Sequence, residues 1–483
     1  MPASLSDTLR DYQVTGFNWL SGLAECHLGG ILADDMGLGK TLQVLAFLLA
    51  QKEADEQAGK VSPPSLVVAP TSLVYNWLEE AHRFTPGLQA VAVAGAKGER
   101  EELLKKALPG VGKPGKADIL ITTYNMLKRD IDLYAPCHFR YAILDEAQHI
   151  KNPGTQNAQC VKQLQAEGFF ALTGTPIENT LTELWSLFDY LMPGYLLSQA
   201  KFKQRYETPI VKEQDEQAAT DLRRHIMPFI LRRLKQDVLT ELPDKVERRQ
   251  ICEMTPKQDK VYKAWFLKSK KEFNEVLKER NMGESKIKIL AILTRLRQIA
   301  CDPSLFLEDY NGGSGKLDAL EEIVGDAVGA GHRLLIFSQF TTLLGHIGER
   351  LQKMGLRYYY LDGSTPALER MNLVKSFNAG NRPVFLISLK AGGTGLNLTG
   401  ADMVLHVDPW WNPAVEDQAT DRAYRLGQKN NVQVVRLIMK DTVEEKIYDL
   451  QQKKKNLIDQ MIQPGENFLS KLTDEEIREL FQR

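Results

Sequence analysis

Asp34-Asp35-Met36-Gly37-Leu38-Gly39-Lys40-Thr41 is the stretch from which the fold is read. Gly39, Lys40 and Thr41 fit the phosphate-loop pattern G-x-x-x-x-G-K-[ST], whereas Asp34 stands where the first glycine belongs. Ile31-Leu32-Ala33 before it is short and apolar and predicts a buried strand, and Leu42 to Leu49 after it predicts a buried helix. A glycine-rich turn between the two points backbone N–H groups and a helix N-terminus at an anion. In that reading Asp35, Gly37 and Gly39 line a nucleoside triphosphate. Lys40 reaches its β- and γ-phosphates, and the Thr41 hydroxyl holds Mg²⁺. Taken alone, the stretch fits a glycine turn entering an ordinary helix equally well.

Outward from the loop, the first third alternates strand and helix patterns. Strands are predicted at Leu66–Ala69, Asp118–Thr122, Tyr141–Leu144 and Phe169–Leu172. Such alternation predicts an α/β fold with a doubly wound parallel sheet. Gln51–Lys60 and Gly110–Gly115 read as surface loops within this lobe. From about Glu183 to Ala300 the strand signal fades and charged amphipathic helices take over, such as Lys257–Arg280. A second α/β run follows, with strands at Leu334–Phe337, Tyr358–Leu361, Val384–Ser388, Met403–Val407 and Val432–Val435. A final helix is predicted over Asp441–Met461, capped by Asp441 or Thr442.

Composition narrows the class. With 483 residues, 43% hydrophobic and 25% charged, the chain reads as a well-cored globular protein, long enough for about three domains at ~150 residues each. No apolar run is long enough for a membrane span, and the N-terminus lacks the features of a secretory signal. Five cysteines without a C-x-x-C pair imply neither zinc nor a disulfide framework and suit a reducing cytoplasm. A formal net charge of −1 gives no sign of nucleic acid. The basic stretches Arg223-Arg224-His225, Arg232-Arg233 with Lys235, and Lys245 with Arg248-Arg249 read as solvated helix faces.

A phosphate loop needs a carboxylate partner. Tyr141-Ala142-Ile143-Leu144-Asp145-Glu146-Ala147-Gln148 ends an apolar strand in two acids, at the strand edge where open α/β sheets bind ligands. Asp145 suits Mg²⁺, directly or through water, and Glu146 suits the role of orienting and deprotonating the attacking water. Positive charge for the transition state is offered by Arg422 and Arg425, three apart and on one face if Gln418–Gln428 is helical. Gly313-Ser314-Gly315-Lys316 imitates a second phosphate loop. It has no preceding strand, Tyr310 stands at its first-glycine position and Leu317 follows its lysine, so it reads as a surface turn before a helix.

Taken in order, these stretches resemble superfamily-two helicases, and within them the Swi/Snf-type double-stranded DNA translocases, in a bacterial or archaeal-like form. The resemblance runs from Leu9 to Gln428. Leu9-Arg10-Asp11-Tyr12-Gln13 is similar to the family's adenine-reading Gln motif, and an acid at Asp34 is what its motif I carries. Ala69 to Trp77, with Thr71 and Ser72, and Thr122-Thr123-Tyr124 resemble backbone-contacting motifs. Asp145 to Gln148 looks like a Walker B box. Leu172-Thr173-Gly174-Thr175-Pro176 with Ile177-Glu178-Asn179 resembles motif III, which couples hydrolysis to lobe movement through Gln148, Thr173, Gly174 and Thr175; many relatives carry Gln where Glu178 sits. Ser338 and Gln339 fall in a stretch similar to motif IV, and Leu361 to Thr365 in the motif after it. Thr394 falls in one similar to motif V; the resemblance implies that Ser338, Gln339 and Thr394 contact DNA. Asp408 to Pro413 is similar to the Snf-type extension, where Trp411 would touch DNA. Gln418 to Gln428 resembles motif VI, which makes Arg422 and Arg425 arginine fingers. Relatives often have His where this chain has Gln148 and Tyr424.

The resemblance implies two RecA-like lobes with helical insertions: 1–240 with a first protrusion, and 241–483 with a second at about 250–300 and a brace helix at about 441–462. It implies ATP as substrate with Mg²⁺, bound between the lobes, and a DNA-stimulated ATPase that moves on double-stranded DNA and displaces bound proteins. It also implies a cytoplasmic setting, at the nucleoid, and a monomeric motor core or one part of a larger protein. A strand-separating DNA or RNA helicase of the same superfamily is the main alternative. A scaffold with a dead ATP site is opposed by intact Lys40, Glu146 and Arg425, and a metabolic phosphate-loop kinase does not account for the second lobe.

Overall fold

The apolar runs of the first third lie side by side as parallel strands. A computed structural model describes residues 1–61, 63–108, 117–174, 180–239, 242–276, 282–392 and 396–460. The chain divides into two units, Met1–Thr240 and Glu241–Arg483. In the first unit the strands are β1 (Gly30–Leu32), β2 (Ser65–Ala69), β3 (Ala90–Ala92), β4 (Ile119–Thr123), β5 (His138–Asp145), β6 (Gln165–Leu172) and β7 (Ile230–Leu231). They pair in the order β3-β4-β2-β5-β6-β1-β7, parallel throughout. Every residue of β1, β2 and β4 is buried, as expected of strands covered by helices on both faces.

The second unit contains β8 (Lys245–Cys252), β9 (Leu334–Ser338), β10 (Tyr358–Leu361), β11 (Val384–Ser388), β12 (Met403–His406) and β13 (Val432–Met439). Their order is β10-β11-β9-β12-β13-β8, again all parallel. Side-chain alternation along these strands makes two cores: Leu334 and Ile336 of β9 pack on one face of the sheet, Leu335 and Phe337 on the other. Helices Pro256–Val276 and Met282–Cys301 pack against one another in this unit. In the first unit the helices after β6 include Leu181–Leu191 and Glu216–Ile226.

Several expectations change. The segment read as free of strands contains β7 and β8. β7 is two residues long, too short to show a period. β8, Lys-Val-Glu-Arg-Arg-Gln-Ile-Cys, is an exposed edge strand, so Lys245, Arg248 and Arg249 belong to a sheet edge instead of a helix face. Charge on an edge strand discourages pairing with other chains. The three-residue β3 also went unread. The helix after the glycine loop continues to Gln57, through residues taken for a loop, helped by the Lys52–Glu56 pair one turn apart. The Gly110–Gly115 loop lies outside the described residues.

Gly313–Lys316 does precede a helix, Gly315–Gly329, but it is not a surface turn. Lys316 is fully buried, its Nζ 2.5 Å from Glu444 Oε2 and 2.9 Å from the Val407 carbonyl. The final helix is Val443–Gln460, and Thr442 caps it by accepting from the Glu444 amide at 3.2 Å.

Candidate nucleotide site and the family of the chain

β1 ends at Leu32 and the glycine loop follows it at the C-terminal edge of the first sheet. Gly37 and Gly39 have φ of 84° and 75°, the left-handed region that favours glycine. A Cβ on Gly39 would also fall 2.4 Å from Gln13 Nε2. Helix Lys40–Gln57 begins at the next residue, with Thr41, half-buried, in its first turn. Lys40 Nζ donates to the carbonyls of Asp34 at 2.6 Å and Asp35 at 3.3 Å, folded back along the loop.

Gln13 is buried in helix Asp11–Glu25 against the same loop. Its Oε1 accepts from the Arg10 amide at 3.0 Å and its Nε2 donates to the Leu38 carbonyl at 3.1 Å. An amide side chain has two donor hydrogens and two acceptor lone pairs, so these two bonds use half of them. The two acids of the loop face the protein. Asp34 is fully buried between Arg233 and Gln43. Asp35 accepts the Lys235 amide at 3.0 Å, so its carboxylate holds a neighbouring segment where a nucleotide contact had been expected.

Two places from β1 along the sheet, on the far side of β6, β5 delivers the acid pair. Asp145 closes the strand. Its Oδ2 accepts from Trp77 Nε1 at 2.8 Å and its Oδ1 from the Glu146 amide at 2.9 Å, while Tyr124 donates to its carbonyl at 2.9 Å. Burial, then the adjacent Glu146, pushes the Asp145 carboxyl up to about 6. Glu146 has a φ of 49°, an uncommon value for a side-chain-bearing residue and the kind of local strain that clusters at functional sites. Gln148 Nε2 donates to Glu146 Oε2 at 2.8 Å, and Thr173 Oγ1 donates to Gln148 Oε1 at 3.1 Å. Thr173 in turn donates its amide to the Leu32 carbonyl at the base of the loop. Gly174 follows, close enough that a Cβ there would lie 3.6 Å from Met36 Cγ. One unit thus brings Lys40, Thr41, Asp145, Glu146, Gln148, Thr173 and Gly174 to one sheet edge. Thr175 to Asn179 lie outside the described residues.

A buried carboxyl with a raised pKa is a group that a cation would relieve. Among the described residues no cluster of three or more metal-ligating side chains exists. One carboxylate and a hydroxyl suit Mg²⁺, which keeps several waters and borrows its other ligands from phosphates. Asp145 and Thr41 therefore fit an ion that arrives with its nucleotide.

The residues expected on DNA divide. Thr71 is exposed and Ser72 half-buried, in the turn before helix Val74–Phe84. Thr122, Ser338 and Trp411 are instead buried. Thr122 Oγ1 donates to the Val93 carbonyl at 3.4 Å, and Ser338 Oγ to Asp408 Oδ1 at 2.6 Å. The Trp411 ring lies 5.2 Å from the guanidinium of Arg297, itself paired with Asp408. These three side chains face the interior of their units, where their polar or aromatic groups pack against the scaffold. Gln339 is half-buried, and its backbone N–H donates to Asp408 Oδ1 at 3.3 Å. Thr394 lies outside the described residues.

Arg422 and Arg425 belong to the second unit. Helix Pro413–Thr420 ends before them, so they stand on successive turns and not on one helical face. Arg422 is buried, and Arg425 Nη1 donates to the Leu396 carbonyl at 3.3 Å. Tyr424, where relatives often have His, lies under the Lys245 ammonium at 5.7 Å.

Comparison with known proteins matches residues 12–305 to the SNF2-related domain and residues 315–427 to the helicase conserved C-terminal domain. The chain belongs to the SNF2 family. An "uncharacterized ATP-dependent helicase" of Mycoplasma pneumoniae is 37% identical to this SNF2 chain over 98% of its length and 44% of the relative's. The SWI/SNF-related matrix-associated actin-dependent regulator of chromatin subfamily A member 1 of Mus musculus is 36% identical, over 98% of this chain and 46% of the relative. The chain spans about half the length of the curated relatives it matches. Among solved structures, the Sulfolobus solfataricus SWI2/SNF2 ATPase core in complex with dsDNA is 37% identical, covering 98% of this chain and 97% of that one, with a TM-score of 0.47.

Sequence reading missed Arg233, Gln43, Trp77 and Tyr124. Trp77 and Tyr124 stood inside quoted motifs, but their partner Asp145 is a long-range contact that spacing does not reveal. Buried Gln43, one turn into an apolar helix, was the one visible signal of a polar partner.

Proposed function

We propose that this chain is an ATP-hydrolysing motor core that moves along double-stranded DNA and displaces proteins bound there. The observation that carries the reading is the hydrogen-bonded line Glu146–Gln148–Thr173, which begins at the acid pair and ends at the foot of the glycine loop. Glu146 takes a proton from the attacking water, and Gln148 orients its carboxylate. Lys40 turns from the loop carbonyls to the phosphates when nucleotide enters. Thr41 and Asp145 hold the magnesium of MgATP, which supplies charge neutralisation on the phosphates. Gln13 reads the adenine with its remaining amide positions. Arg422 and Arg425 supply positive charge to the transferred phosphoryl group. Gln148 and Thr173 report the state of the γ-phosphate to the segment that follows Gly174.

SNF2 membership and the ordered motifs support duplex DNA as the track. Thr71 and Ser72 are the surface-accessible residues through which the first unit touches the phosphate backbone. Contacts to the backbone carry no base readout, so binding is sequence-independent and weakens steeply with salt. A cytoplasmic setting, at the nucleoid, follows from the same reading.

The test is ATP hydrolysis measured with no nucleic acid, duplex DNA, single-stranded DNA and RNA, alongside triplex displacement and strand separation. Stimulation by duplex DNA with triplex displacement is expected, and Glu146→Gln is expected to abolish both. Strand separation without triplex displacement would transfer the chain to the strand-separating helicases. Wild-type hydrolysis by Glu146→Gln would remove Glu146 from its role.

A further inference from the structure

Arg233 lies 199 residues from Asp34 in sequence and forms a two-pronged pair with it. Its Nε donates to Asp34 Oδ1 at 2.8 Å and its Nη2 to Asp34 Oδ2 at 2.5 Å. Nη2 also donates to Gln43 Oε1 at 2.7 Å, and Nη1 to the Tyr12 carbonyl. The guanidinium lies 5.2 Å from the centroid of the Tyr12 ring. The backbone runs alongside the same loop. Ala33 donates to the Leu231 carbonyl at 2.7 Å, Asp35 to the Arg233 carbonyl at 3.0 Å, and Lys235 to the Asp35 carboxylate at 3.0 Å.

One cation therefore touches three parts of the candidate nucleotide pocket: the Tyr12-Gln13 helix, the glycine loop and the helix that begins at Lys40. It reaches them from the segment that follows helix Glu216–Ile226, outside every motif assigned to nucleotide binding. The contact also accounts for Asp34. A glycine at that position offers nothing for a guanidinium to hold; the carboxylate gives the loop an anchor.

We propose that Arg233 is a positioning residue of the nucleotide pocket, fixing the glycine loop and the Tyr12-Gln13 helix in the geometry that accepts the nucleotide; this rests on the nucleotide reading above. A loop held before the ligand arrives does not have to be ordered by it, so the anchor acts on affinity. The planar fork serves several acceptors at once, which a lysine ammonium does only in part.

The experiment compares wild type with Arg233→Gln and Arg233→Lys, at a temperature well below each protein's unfolding. Steady-state ATP hydrolysis with saturating duplex DNA, binding of fluorescent ADP, and amide hydrogen exchange over residues 33–41 without nucleotide are read together. Arg233→Gln is expected to raise KM and the ADP Kd roughly tenfold or more, leave kcat within about threefold and speed exchange in the loop; loss of uniform binding has that signature. Arg233→Lys, which keeps the charge and folds if Gln does not, should fall between the two. Unchanged loop exchange, or unchanged KM and Kd in both variants, overturns the proposal. If wild type neither binds nor hydrolyses ATP, the nucleotide reading fails. Loop exchange alone then decides: faster exchange keeps Arg233 as the loop's anchor, and unchanged exchange rejects it.

Discussion

Gln148 donates to Glu146 across 2.8 Å, and accepts from the Thr173 hydroxyl at its other end. The amide group can do both at once, and its orientation is set by the pair. Glu146 is thereby held by a side chain whose far end answers to another segment. Replacing Gln148 with Ala removes one hydrogen bond to a charged acceptor, worth about 2 kcal/mol. The expected outcome is a kcat for duplex-stimulated hydrolysis lowered on the order of tenfold, with ADP affinity little changed. Steady-state kinetics and an ADP titration check it; an equal loss in both would show damage to the binding loop and not misplacement of Glu146.

The Asp145 carboxyl is pushed up to about 6 from 3.8, first by burial and then by Glu146. Between these values the folded protein holds a proton that the unfolded chain has released. The stability from that neutral form is present at low pH and is lost as pH rises through 6. A divalent cation needs the ionised form, so proton and metal compete. Affinity for MgADP should fall by up to about tenfold per pH unit below 6 and level off above 7. Titrations at several pH values, with and without a chelator, would reveal it, and Asp145→Asn should flatten the profile.

His406 makes the opposite kind of prediction. Buried against Phe337 and hydrogen-bonded to Thr420 at 2.9 Å, its imidazole is pushed down to about 3 by burial and then by Arg436. The unfolded chain takes up a proton near pH 6.5 that the native state refuses. Stability is therefore lost as pH falls from 6.5 towards 3, by up to about 1.4 kcal/mol per unit. Urea unfolding at pH 7 and pH 5 should show a smaller drop for His406→Gln than for wild type.

Lys316 and Glu444 are both fully buried, 2.5 Å apart, and tie the start of helix Gly315–Gly329 to the final helix. Removing one member leaves the other charged and unpaired in the core. Lys316→Ala should destabilise the second unit by about 3–5 kcal/mol, whereas Lys316→Met with Glu444→Leu should recover most of that. Thermal unfolding of the two variants distinguishes a buried pair from a solvated one, for which both changes would be nearly silent.

What the sequence revealed follows from range. Strands such as Leu66–Ala69 and Val384–Ile387 are continuous apolar runs, and each was legible because burial on both faces leaves no polar position within the run. The acid pair was legible because it ends such a run. β7 and β8 escaped because one is too short for a period and the other is charged along an exposed edge. The inward turn of Thr122, Ser338 and Trp411 escaped for another reason. Motif position says which stretch lies near a site, but which atoms are spent on the scaffold depends on neighbours far away in sequence, such as Val93, Asp408 and Arg297. Lys316 is the sharpest case: a lysine in a Gly-Ser-Gly turn reads as solvent-facing until Glu444 is placed beside it.

β7 lies beside β1, yet its residues follow β1 by about two hundred positions in the chain. During synthesis the strand that carries the glycine loop emerges early and waits with one edge open. Contacts of such long sequence separation form late and slow the search for the native state. The first unit is therefore finished by its last residues, and a chain released before Ile230 would present Ile31 and Leu32 as an unpaired edge. Ribosome-bound chains cut just before and just after that point should differ sharply in their resistance to protease.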